Sequence, residues 1–202
     1  MIPQKIHLCW FGGDNFPVEI KICLESWSKI LPDYEIRLWN ARDARAIGCQ
    51  FIDEALDARK WAFARNPAYY NFDGIGGDCT NFVSQCLYAG SGIMNFTPVF
   101  GWYYLSLSDR TASWTGVEYL YNFLVNNQSV GPYATLVPKR EAKPGDIVQL
   151  GTRDGNFYHT AIITAVTPRI LVASHSADVL NKPLSRYRYE TARFLHIDGV
   201  RV

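Results

Sequence analysis

The chain has 202 residues, 48% of them apolar and 14% aromatic, enough to bury a sizeable core and too apolar for a disordered segment. Twenty basic residues against nineteen acidic ones leave a net charge of +1 with the two signs interspersed, which excludes a basic stripe for nucleic acid and an acidic tail. No stretch approaches the length of a membrane span, and no charged region followed by an apolar one opens the sequence, so the chain as it stands reads as cytoplasmic.

In chain order, Ile6 to Phe11 reads as a buried strand, Val18 to Leu31 as an amphipathic helix with Pro17 near its start, and Glu35 to Trp39 as the next strand. His7 and Cys9, inside this unit, read as core or interface residues. Residues 53–65 read as a helix. A glycine-rich turn then leads into 79–89, where Phe82, Val83, Cys86 and Leu87 recur at the three-to-four spacing of a helix with one buried face, and Gly90 supplies a stop. A further helix is expected over 116–126, with Tyr119, Leu120, Phe123 and Leu124 on its apolar face.

After the turn at Lys143-Pro-Gly145 the pattern changes to short β-type runs at 146–150, 157–166, 170–176 and 193–197. The second and third, joined by Thr167-Pro-Arg169, read as a hairpin. Helices first and antiparallel strands afterwards predict an α+β architecture, with residues 1–50 as an N-terminal fragment and 51–202 as the main domain. No repeat or low-complexity stretch is present.

Chemistry concentrates where the glycine-rich turn meets the helix. Cys79 precedes the apolar stripe and is flanked by Asp78, Thr80 and Asn81, which places it at a helix N-terminus. There the unpaired N–H groups and the dipole favour a thiolate and can receive an oxyanion, with Asp78 and Thr80 in support. His159, at the start of a β-type run, is the candidate base, since a cysteine and its histidine are commonly remote in sequence and adjacent in space. His175 on the neighbouring run is the candidate third member, orienting His159 through its other ring nitrogen, with Asp178 and Asn181 as rivals.

Cys86, on the apolar face, reads as core. Of the five cysteines, Cys9, Cys23 and Cys49 lie outside the main domain, and no disulfide is expected. The histidines and cysteines show no paired short spacing, so no metal and no cofactor are expected. The run Phe100-Gly-Trp-Tyr-Tyr104, with Trp114 and Tyr119, could line a groove because flat aromatic faces pack on sugar rings or peptide planes. Trp102, Tyr103 and Trp114 are the candidate substrate contacts; filling the core is the competing role for each ring.

These residues carry a resemblance. Arg65-Asn-Pro-Ala-Tyr-Tyr-Asn-Phe-Asp-Gly-Ile-Gly-Gly-Asp-Cys-Thr-Asn-Phe-Val-Ser-Gln-Cys-Leu87, Lys143-Pro-Gly-Asp-Ile-Val-Gln-Leu150, Tyr158-His-Thr-Ala-Ile-Ile163 and Arg193-Phe-Leu-His196 make residues 58–196 similar to the putative amidase domain family, cysteine hydrolases related to papain-like cell-wall peptidases. The resemblance implies a papain-like fold, Cys79 as nucleophile, His159 as base and a polar residue of the next strand as third member. It implies hydrolysis of an amide bond through a thioester, on a peptide or peptidoglycan-type substrate. An inactive wall-binding module, or an acyltransferase of the same fold, are the alternatives.

Residues 1–45 differ. Met1-Ile-Pro-Gln-Lys-Ile-His-Leu-Cys-Trp-Phe-Gly-Gly13, Cys23-Leu-Glu-Ser-Trp27 and Pro32-Asp-Tyr-Glu-Ile-Arg-Leu-Trp-Asn40 resemble the opening of family 32 glycosyltransferases. No Asp-x-Asp pair for a metal and sugar diphosphate follows, and one βαβ unit is too little for a donor site, so a non-catalytic fragment is expected.

Overall fold

The computed structural model describes residues 5–9, 18–30, 32, 35–39, 62–63 and 65–202. The chain divides into two compact units, residues 1–49 and 50–202. In the first, β1 (Lys5–Cys9) and β2 (Glu35–Trp39) pair in parallel, Ile6 opposite Ile36 and Leu8 opposite Leu38, with α1 (Val18–Ile30) between them in sequence. A parallel pair needs such a crossover, which is the strand, helix, strand unit expected there. Most of the expected helix over 53–65 and the side chains of His7 and Cys9 fall outside the described residues, and residues 62–63, at the end of that expected helix, form a turn.

The second unit has two parts. α2 (Cys79–Ser91), α3 (Ala112–Thr115) and α4 (Val117–Asn126) come first, and a six-stranded sheet follows. Its strands are β3 (Gly131–Val137), β4 (Ile147–Gly151), β5 (Phe157–Ala165), β6 (Leu171–Ser174), β7 (Val179–Pro183) and β8 (Thr191–Arg201). They lie in the order β3-β8-β4-β5-β6-β7, every neighbouring pair antiparallel.

β4 shows why the sheet has two buried faces. Ile147 belongs with Phe82, Val83, Leu87, Trp102, Trp114 and Leu120 in the core beneath the helices, whereas Val148 and Leu150 join Ile163, Val172, Leu184 and Phe194 on the other side. Full burial of each such aliphatic side chain contributes roughly 1.5–3 kcal/mol, so both clusters hold the sheet.

α2 runs to Ser91, one residue beyond the expected stop at Gly90. Gly92, at φ 65°, takes the left-handed position instead, and its N–H donates to the Tyr88 carbonyl at 2.7 Å. That position favours glycine because a Cβ is strained there, while Gly90 fits inside the packed helix. On α4, Leu120, Phe123 and Leu124 are buried as expected, but Tyr119 is turned out to solvent.

Candidate active site

The turn before α2 is built on two glycines. Gly76 and Gly77 have φ of 123° and 101°, values that L side chains rarely adopt, and they swing the chain so that Asp78 and Cys79 open the helix from beneath residues 65–75. Asp78, buried, ties this turn together. Its Oδ1 accepts from the Phe72 N–H at 3.0 Å and from Asn81 Nδ2 at 2.8 Å. Its own N–H donates to Ser176 Oγ at 2.9 Å, and Ser176 in turn donates to Asp73. Arg65 closes the outer side through ion pairs with Asp73 and Asp178.

Cys79 is the first residue of α2 and only 7% exposed. The N–H groups of Cys79 and Thr80 favour its thiolate, as does the N–H of Thr160 on β5. Thr160 lies beyond the last residue pair of β5 with β6, Ile162 with Ala173. The Thr80 and Thr160 hydroxyls meet at 3.0 Å, so helix and strand are pinned beside the sulfur. The expectation of a thiolate-favouring pocket is nevertheless reversed. Burial pushes the Cys79 thiol up from its ordinary value, outweighing all of these N–H groups.

His159 is the neighbour of Thr160 on β5. Opposite Leu150 in register, it lies on the sheet face away from α2, stacked on Tyr187 with centroids 5.5 Å apart. Burial, helped by the ammonium of Lys182, lowers its pKa to about 4, so the ring is neutral at physiological pH. Its Nε2 is buried and has no hydrogen-bond partner among the described residues. A buried ring nitrogen left free is a proton acceptor in waiting. Tyr187 connects the two residues: it stacks on His159, hydrogen bonds Ser174 at 3.1 Å, and its own pKa is raised, chiefly by burial and also by the charge of Cys79.

His175 lies on the other face. It follows β6, is fully buried, stacks on Phe82 of α2 at 4.1 Å, and its Nδ1 lies 2.6 Å from Asp78 Oδ2. The hydrogen bond expected between the two histidines is therefore replaced by one to the residue before the nucleophile. Strand alternation is the cause, since Ala173 and His175 share the helix side while His159 faces away. Asp178 is occupied by Arg65, and Asn181 is an exposed residue of β7 with φ 57°.

The groove role assigned to the tryptophans requires correction. Trp102 and Trp114 are both 0% exposed, and their indole N–H groups donate to Ser84 and Asn81 of α2 at 3.1 and 2.9 Å. They are the packing surface against which the nucleophile helix is held. Tyr103 is half-buried, ring against Phe96 with centroids at 4.9 Å and phenol on Asp109. Sequence reasoning missed Tyr187, for which no local signal exists, and Thr160, which stands next to His159 in the quoted motif.

No described helix is long and apolar enough to cross a membrane. No solved structure matches the chain. An uncharacterized protein of Bacillus subtilis strain 168, YhbB, is 36% identical over 111 residues, which cover 54% of this chain and 34% of that protein. The chain thus spans about a third of that relative's length. Residues 54–197, which include Cys79, His159 and His175, match the family described as the putative amidase domain. That match extends over well more than half of the sequence, and the chain belongs to the putative amidase domain family.

Proposed function

We propose that the protein is a cysteine-dependent amidase or peptidase of papain-like design, acting on a peptide of the peptidoglycan type. The observation that carries the reading is a cysteine opening a buried helix, with three backbone N–H groups favouring its thiolate, one of them from Thr160, the sequence neighbour of His159, whose Nε2 is buried and has no hydrogen-bond partner among the described residues. The substrate class rests on the likeness to cell-wall peptidases alone.

Burial makes the resting pair neutral, because it raises the thiol and lowers the imidazole. In the tautomer with the proton on Nδ1, His159 Nε2, once its ring leaves Tyr187 and approaches the sulfur, takes the Cys79 proton as sulfur bonds to the carbonyl carbon. The helix N–H groups receive the oxyanion. His159 returns the proton to the departing amine as the C–N bond breaks. Water then adds to the thioester, gives its proton to His159, and the thiol leaves with it. Asp78 and His175 position the turn, and Thr80 supports it through Thr160. Residues 1–45 serve as a non-catalytic, glycosyltransferase-like βαβ unit.

A second reading, a binding module that keeps the fold without turnover, is favoured by the near-complete burial of Cys79. Alkylation separates the two. Iodoacetamide labelling followed by mass spectrometry across pH should modify Cys79 selectively, leave the fully buried Cys86 untouched, and slow by an order of magnitude or more in His159→Ala. A Cys79 that is inert, or equally reactive in both proteins, leaves the binding module.

A further inference from the structure

A cavity of about 750 Å³ opens between the loop 95–101, the start of α3, α4 and the segment 127–129. Its lining shares no residue with the surroundings of Cys79 described above, and its volume is that of a small-molecule site. No charged side chain lines it among the described residues.

The walls are preformed. The Asn95 and Trp102 backbones exchange hydrogen bonds at 2.9 and 2.7 Å, the Thr97 N–H donates to Asn95 Oδ1 at 2.8 Å, and Ser113 Oγ donates to the Gly101 carbonyl at 2.5 Å. A Cβ at Gly101 would collide with the carbonyls of Asn95 and Thr97, so the tight closure requires glycine. Within this frame Val99 is held at φ 69°, a costly conformation for a β-branched residue. The frame presents Phe100, 80% exposed, on one side of the cavity while α4 presents Tyr119, 62% exposed, on another. Buried Phe123 contributes to the same lining. Asn122 and Gln128, both exposed, are among the residues that line the cavity, and their carboxamides can both donate and accept.

We propose that this cavity is a second binding site, for an uncharged saccharide. The C–H face of a pyranose ring is apolar and packs on an exposed aromatic face, while its hydroxyl edge pairs with groups that donate and accept at once. Exposed carboxamides in the same lining as two exposed rings meet both demands, and a charge-free lining excludes selection for an ion. The assignment stands apart from the Cys79 chemistry and from the substrate proposed for it.

The test is calorimetric titration of the full chain with tetra-N-acetylchitotetraose and cellotetraose, two uncharged tetrasaccharides. Saturable binding of at least one is expected, weakened about tenfold by Phe100→Ala and by Tyr119→Ala and unchanged by Cys79→Ser. Both rings are exposed, so neither substitution removes core packing, and circular dichroism checks that each variant is folded. Absence of saturable binding by both sugars, or affinity that survives both aromatic substitutions, overturns the proposal.

Discussion

His175 Nδ1 and Asp78 Oδ2 lie 2.6 Å apart with both side chains almost wholly excluded from solvent. A carboxylate only accepts, so the imidazole holds its proton on Nδ1. Because Asp78 also receives Phe72 and Asn81, one carboxylate joins the segment before the turn, the first turn of α2 and the end of β6. His175→Phe keeps the stacking on Phe82 but leaves an acceptor oxygen of Asp78 buried without this donor. Urea denaturation should show a loss of about 1–3 kcal/mol, and Cys79 alkylation should change with it. Unchanged stability would mean that Asp78 has no positioning role.

Trp114 separates a packing role from a substrate role. Trp114→Phe retains most of the ring but deletes the N–H that satisfies Asn81 Oδ1, so stability should fall by about 1–3 kcal/mol through an unpaired buried acceptor and a small void. A change in substrate KM with stability intact would restore the groove role that its burial denies.

Much of this was legible in the sequence, and the exceptions share causes. The nucleophile helix, the hairpin of β5 and β6 and the two catalytic candidates follow from period and punctuation, which are local. The unread strands β3 and β7 are the two edges of the sheet. β3 carries Pro132, tolerated on an edge because fewer ladder bonds are asked of it, and β7 bends at Asn181 and ends at Pro183, so neither shows the alternation of a central strand. Composition marks a tryptophan as large and apolar but not as inside or outside. The partner of His175 was hidden for another reason: the expected run 170–176 ends as a strand at Ser174, and which face a residue past its end takes depends on bulges, such as that between Val172 and Ser174, that are set by pairing.

The glycine turn gives a backbone prediction. A Cβ at Gly77 would meet Ser176 Oγ at 3.4 Å, an ordinary contact, and one at Gly76 would meet nothing within 4 Å. Any cost of Gly76→Ala or Gly77→Ala therefore comes from their positive φ, on the order of 1–2 kcal/mol each. Thermal unfolding should show both losses. Wild-type stability in either variant would show that the turn relaxes to negative φ without disturbing Cys79.

His159 makes stability depend on pH. Its folded pKa, about 4, lies below the ordinary 6.5, so between those values the unfolded chain binds a proton that the native ring does not. The stability associated with the neutral ring is fully present above about pH 6.5 and is lost as pH falls toward 4, after which both states are protonated and the loss levels off. The shift corresponds to roughly 3 kcal/mol at most, and solvent reaching the half-buried ring reduces it. Denaturation midpoints measured from pH 7.5 to 4.5 should decline in the wild type, and the decline should be shallower in His159→Phe, which keeps the stacking on Tyr187 and removes the titrating group. Parallel pH profiles in the two proteins would place the acid sensitivity in other groups and give His159 an ordinary proton affinity.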